Sequence, residues 1–149
     1  MVTSDQIRQL REQTDASIMA CKRALEGADG DMARAMELLK EEGARIAGKK
    51  AERSTAIGIV EAYVHGNQKI GVLLELRSET DFVARNPDFK MLAHEVAMHI
   101  AAAAPETVME LMGQPFIKDE KKSVGILVQE AIARFGENIT IAQFSRFQI

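Results

Sequence analysis

The sequence predicts an α+β protein: an N-terminal three-helix module, then a core in which a three-stranded antiparallel sheet packs on helices. Three observations predict it. Apolar residues recur at helical spacing in short, separately capped stretches over residues 3–42. The period then drops to two at Ile57, and Ile70, Val72, Leu74 and Leu76 form one clean face. Helical spacing returns after Asn86-Pro87, and an alternating stretch follows from Ile139 to Ile149. Hairpin, helices and strand in that order make a small antiparallel sheet covered on one face. The division is residues 1–55 for the helical module with a basic linker, and 56–149 for the core.

Thr3-Ser4-Asp5-Gln6 has the spacing of a capping box, and Ile7 and Leu10 share a face beyond it. Asp15 is read as the start of a second helix, with Ile18, Cys21, Leu25 and Ala28 on its inward stripe and Asp29-Gly30 as its break. Asp31 caps a third helix with Met32, Ala35, Met36 and Leu39 inward, and Gly43 is read as its C-terminal stop. So small a core is marginal alone and suits a docking unit. Residues 44–56 carry Arg45, Lys49, Lys50 and Arg53 against Glu52 alone. They read as a solvated helical extension or linker, with contact to an acidic surface as the alternative.

Ile57 to Val64 is the first strand, His65 to Lys69 is turn chemistry, and Ile70 to Leu76 is the second strand. After the junction Arg77 to Arg85, Asn86 as N-cap and Pro87 at the first helical position restart a helix. Phe89, Leu92, Ala93, Val96, Ile100 and Ala103 carry it to Pro105. A short helix over 106–112, a break at Gly113 to Phe116, a helix over 119–135 stopped by Gly136, and the final strand complete the expectation.

The composition excludes several function classes. Apolar residues make up 46% and charged residues 28% of 149, and the net charge of −3 is too mild for a dedicated nucleic-acid binder. The single cysteine, Cys21, forbids an intramolecular disulfide, and its place on an apolar stripe favours burial over reactivity. No apolar run approaches the roughly 20 residues that span a membrane, and the first residues have no signal-peptide pattern, so a cytoplasmic protein is expected. His94 and His99 resemble half of a zinc-protease motif, but five residues turn a helix by roughly 140°, which prevents them from chelating one ion together. A hydrolase built on His94, Glu95 and His99 is therefore disfavoured, and no metal or other cofactor is expected. His99 sits on the side of Leu92 and Val96, either at the rim of the core or as a contact residue. With no nucleophile motif, no phosphate-cradling loop, one Tyr and no Trp, the chain offers no site for bond chemistry and little for stacking on bases. A binding or regulatory protein remains.

The stretch Glu75 to Asn86 is its most informative segment. It places Phe82 between Asp81 and a small apolar residue at a strand-to-helix junction, where a scaffold holds side chains firmly. By residue type alone a phenylalanine reads as core; by position it reads as a probe.

Two stretches together resemble a known family. Leu10 to Leu25 is similar to the N-terminal signature of bacterial elongation factor Ts, and Thr80-Asp81-Phe82-Val83-Ala84-Arg85-Asn86, preceded by Glu75-Leu76, to its core signature. Gln114-Pro115-Phe116, Gly136-Glu137-Asn138-Ile139 and Arg146-Phe147 resemble the closing part of the same core. The resemblance implies a guanine nucleotide exchange factor that promotes GDP release from elongation factor Tu. It implies a ubiquitin-associated-like (UBA-like) N-terminal module docking on the nucleotide-binding domain of that GTPase through Arg11, Ile18 and Met19. Phe82, with Thr80, Asp81 and Val83 beside it, is implied to push between two helices near the magnesium and phosphate site, and His99 to lie at the partner surface. Neither direct nucleotide nor nucleic-acid binding is expected. A helical module that binds another protein or RNA is the alternative. Longer members carry two core halves or a helical insertion before the Gln-Pro-Phe stretch; here only Pro105 to Met112 stand there. The chain is thus similar to a short, single-core type, and a homodimer through the core is expected.

Overall fold

The computed structural model describes residues 1–149. The N-terminal module is three helices. Helix α1 (Ser4–Thr14) opens with the capping box: the Gln6 amide donates to the Thr3 hydroxyl at 3.2 Å and the Thr3 amide to Gln6 Oε1 at 2.9 Å. Helix α2 (Ile18–Gly27) starts two residues later than the Asp15 reading, with Ser17 as N-cap. Asp15 instead closes α1 in the left-handed region (φ 55°), its amide donating to Arg11 O at 2.8 Å. An aspartate tolerates that conformation because its short polar side chain can bond locally. Ile18 therefore falls in the first turn of α2 and is exposed rather than inward, and Met36 is also exposed.

Helix α3 (Met32–Lys50) is capped by Asp31, whose carboxylate accepts from the Arg34 amide at 2.9 Å. It runs straight through Gly43, which does not stop it. Gly43 is buried where α3 lies against helix α7 (Val124–Phe135), and a methyl group at its α-carbon would sit 4.0 Å from the Ala133 Cβ. Its bare backbone serves a close helix contact, not a turn. A small hydrophobic cluster of Leu10, Cys21, Ala24, Leu25, Ala28 and Ala35 holds the three helices together. Further along α3, Ala47 belongs to the main core and Ile46 packs on it.

The main sheet has the order β1-β2-β5, all antiparallel, from β1 (Ile57–Val64), β2 (Ile70–Ser78) and β5 (Thr140–Gln148). The central strand turns Val72, Leu74, Leu76 and Ser78 inward. At Gly58 the neighbouring strand comes so near that an added Cβ would lie 2.1 Å from Leu76 O, so only glycine fits the register there. Helix α5 (Pro87–Ala103), capped by Asn86 with Pro87 at its start, packs across β1 and β2. Phe89 meets Phe135 edge to face at 6.2 Å between ring centroids. Arg146 of β5 donates to Ala101 O at 2.9 and 3.2 Å, satisfying a carbonyl in the last turn of α5.

Between α5 and α7 lie helix α6 (Val108–Gly113) and a small hairpin of β3 (Pro115–Phe116) and β4 (Asp119–Ser123). This corrects the expected helix over 119–135. Its first residues, Asp119-Glu120-Lys121-Lys122, carry no apolar stripe, and the helix begins only where Ser123 caps it, accepting from the Ile126 amide at 3.1 Å. Lys118 and Lys122 reach back to Glu95 and Glu130. No helix is long and apolar enough to cross a membrane.

Candidate partner-binding site

Beyond Ser78 the chain makes helix α4 (Asp81–Ala84), a single turn of four residues. Thr80 is its N-cap in an extended conformation (φ −125°, ψ 154°). The Ser78 hydroxyl donates to Thr80 O at 2.9 Å, which fixes the exit from β2. Successive residues of a helix turn by about 100°, so one short turn cannot bury all four side chains. Val83 and Ala84 take the inward positions at 4% and 2% exposure. Asp81 and Phe82 are left outside, and Phe82 is 85% exposed. The reading of Phe82 as a core residue fails here, because the helical phase assigns that role to Val83. Val83 is buried and is the anchor beneath its neighbour. Asp81 pairs with Arg85 at 2.6 Å on the outer surface.

A residue not singled out as a site residue from sequence braces this turn. The carboxylate of Glu137 accepts the Glu79 amide at 3.2 Å, the Thr80 amide at 3.0 Å and the Thr80 hydroxyl at 2.6 Å. In return Glu79 accepts the Asn138 amide at 2.7 Å. Its sequence signals are its place in the Gly136-Glu137-Asn138-Ile139 stretch and next to Gly136, the left-handed cap of α7 (φ 72°).

The second group of expected contacts lies on the helical module. Ser4, Ile7, Arg8, Arg11 and Ile18 line an open depression where α1 meets the start of α2. Ile18 and the neighbouring Met19 are both more than half exposed, at 55% and 58%. Ile18 and Arg11 thus share one solvent-facing depression, with Met19 exposed next to Ile18 in the chain.

His99 does not join either group. It is fully buried in the free chain. Its Nδ1 accepts the Ile117 amide at 3.2 Å, which leaves Nε2 to donate to Gln114 Oε1 at 2.9 Å, and the ring lies 6.0 Å from that of Phe116. His99 therefore pins the start of the β3–β4 hairpin to α5. His94, five residues earlier, faces Glu61 and Tyr63 on the sheet side instead.

An exposed phenylalanine stands on a braced turn, and an open depression lined by Ile7, Arg8, Arg11 and Ile18 lies on the three-helix module. The elongation factor Ts family model matches residues 5–110 and 79–149, which together take in nearly the whole chain. The chain belongs to the elongation factor Ts family. Elongation factor Ts of Acetivibrio thermocellus is 39% identical, with 99% of this chain and 90% of that protein covered. The elongation factor Ts proteins of Carboxydothermus hydrogenoformans (40% identical; 100% and 89% covered) and Oleidesulfovibrio alaskensis (38%; 99% and 98%) are comparably similar. Membership in the elongation factor Ts family makes this a translation elongation factor. The alignments run over 193 or 194 positions against 149 residues here, so these elongation factor Ts relatives carry internal residues that this chain lacks.

Proposed function

We propose that the protein is a guanine nucleotide exchange factor that promotes GDP release from elongation factor Tu in the cytoplasm, with Phe82 as the inserted wedge. The exposure of Phe82 carries the reading. A ring of this size, 85% exposed above two buried anchors, has the surface to act as a hot spot once a partner covers it. In this reading residues 1–55 form a UBA-like docking module that meets the GTPase through Arg11, Ile18 and Met19. Residues 56–149 form the core that delivers Thr80, Asp81 and Phe82. Val83 and His99 act beneath the surface as supports.

The mechanism needs no covalent step and no cofactor. The factor binds nucleotide-free, magnesium-free GTPase more tightly than the GDP-bound form, and by linkage GDP and factor weaken each other equally. Magnesium demands near-octahedral geometry from carboxylates, phosphates and waters, so a small displacement of the helices that hold its ligands costs it much. Only contacts that differ between the two GTPase states accelerate release, and a wedge is such a contact. Stopped-flow release of a fluorescent GDP analogue from elongation factor Tu tests this. Acceleration at micromolar factor is expected; an unchanged release rate refutes exchange activity.

We also propose that the protein works as a homodimer through the open face of the sheet. Val60, Val64, Leu73 and Phe147 are exposed there, and the register sets Val64, Gly71 and Phe147 in one row beside Ala62, Leu73 and Ser145. Glu75, Arg77 and Gln143 rim this patch; hydrogen bonds from Gln143 and then Arg77 hold the Glu75 carboxyl below the usual carboxylate range. An apolar centre with a rim of both signs suits an isologous contact with a second copy.

A further inference from the structure

Helix α4 is too short to hold itself. Isolated helices below about 12 residues are marginal in water, and this one has four. Its own cap is weak, since the Val83 amide reaches the Thr80 hydroxyl only at 3.4 Å. The Thr80 hydroxyl directs its proton to Glu137 at 2.6 Å. With the amides of Glu79 and Thr80 on the other carboxylate oxygen, Glu137 makes three charge-assisted bonds, the strong kind, to two consecutive residues. Those two residues set the direction in which α4 leaves the sheet.

We infer that Glu137 is a positioning residue for nucleotide exchange: it locks Thr80 so that Phe82 is presented in one orientation. The inference rests on the exchange reading above. The wider network supports it. Asn138, buried next to Glu137, donates its side-chain amide to Arg53 O at 2.9 Å and Ala51 O at 3.4 Å, and Arg53 lies 3.6 Å from the Glu79 carboxylate. The end of the helical module, the start of α4 and the turn after α7 thus meet in one cluster. That cluster holds two carboxylates, Glu79 and Glu137, with Arg53 as the cation paired to Glu79. The bonds to Glu137 fix Thr80 at the point where this cluster meets α4.

Glu137→Ala and Glu137→Gln separate positioning from mere support, because glutamine keeps an oxygen for both backbone amides. In stopped-flow GDP release, Glu137→Ala is expected to lower the maximal rate about tenfold, because a misdirected wedge loses contacts that differ between the two GTPase states. The factor concentration giving half the maximal rate changes by less than about threefold, because every contact side chain remains. Glu137→Gln restores the maximal rate to within about threefold of the parent. In the free protein, amide hydrogen exchange of residues 79–84 speeds up in Glu137→Ala and not in Glu137→Gln. An active parent whose maximal rate is unaffected by Glu137→Ala overturns the inference alone, as does unchanged exchange at residues 79–84. An inactive parent overturns the exchange reading and this refinement together. If Glu137→Ala does not fold, Glu137→Asp draws the carboxylate back from both amides by one methylene, and an undiminished maximal rate in that variant overturns the inference equally.

Discussion

Phe82 and His99 exchange the roles that their residue types suggest. An aromatic ring belongs inside and an imidazole outside, yet Phe82 stands in water and His99 is fully enclosed. The sequence shows that Phe82 sits at a junction, but not the phase of a four-residue turn, which is set by the bonds that hold Thr80. The family signature, not the residue chemistry, was what pointed to Phe82. For Phe82→Ala the GDP release rate should fall at least about tenfold, as expected for a hot-spot side chain worth about 1.4 kcal/mol or more. Urea denaturation of the same variant should show stability within about 0.5 kcal/mol of the parent, since no core contact is lost. A large stability loss with unchanged release would return Phe82 to a structural role. His99→Ala should do the reverse. It empties a fully buried site and removes the bonds to the Ile117 amide and Gln114, costing about 2–3 kcal/mol by denaturation, while the folded protein keeps its affinity for the GTPase.

The elements were legible in proportion to their periodicity. Helix α5 and the β1–β2 hairpin carry long, clean patterns and a proper cap and turn, and they form where expected. The β3–β4 hairpin was missed because β3 has two residues and β4 is charged along its length, so neither shows an apolar alternation. Gly43 misled for a different reason: glycine serves both helix stops and close helix packing, and only the presence of Ala133 opposite decides between them. That geometry makes a prediction. In Gly43→Ala the new methyl meets Ala133 at ordinary contact distance and removes the helix penalty of glycine, so thermal or urea unfolding should show a gain of up to about 1 kcal/mol. Gly43→Leu should overpack the same contact and lose about 1–3 kcal/mol.

At the scale of the molecule, two hydrophobic clusters of unequal size are joined by one helix, and one face of the sheet is open. The sequence conveyed the count and order of strands because alternation reports a half-buried sheet. It could not convey how much of the outward face is apolar in three dimensions, which depends on the register that aligns Val64, Gly71 and Phe147. For the dimer, light scattering at micromolar concentration should give twice the mass of the chain, and Leu73→Glu should convert it to a monomer with its helices intact by circular dichroism. A monomer mass for the parent would refute the dimer. Finally, α3 belongs to both clusters and is an unbroken helix of 19 residues, about 28 Å long. A flexible tether would let the docking helices and Phe82 search for their sites independently, at a local concentration spread over many geometries. A stiff rod concentrates that search into one spacing and one angle. Under the proposed exchange function its length becomes part of recognition: one residue inserted within α3 would swing the three-helix module by about 100° relative to Phe82, a mismatch that no adjustment of the contact residues themselves could repair.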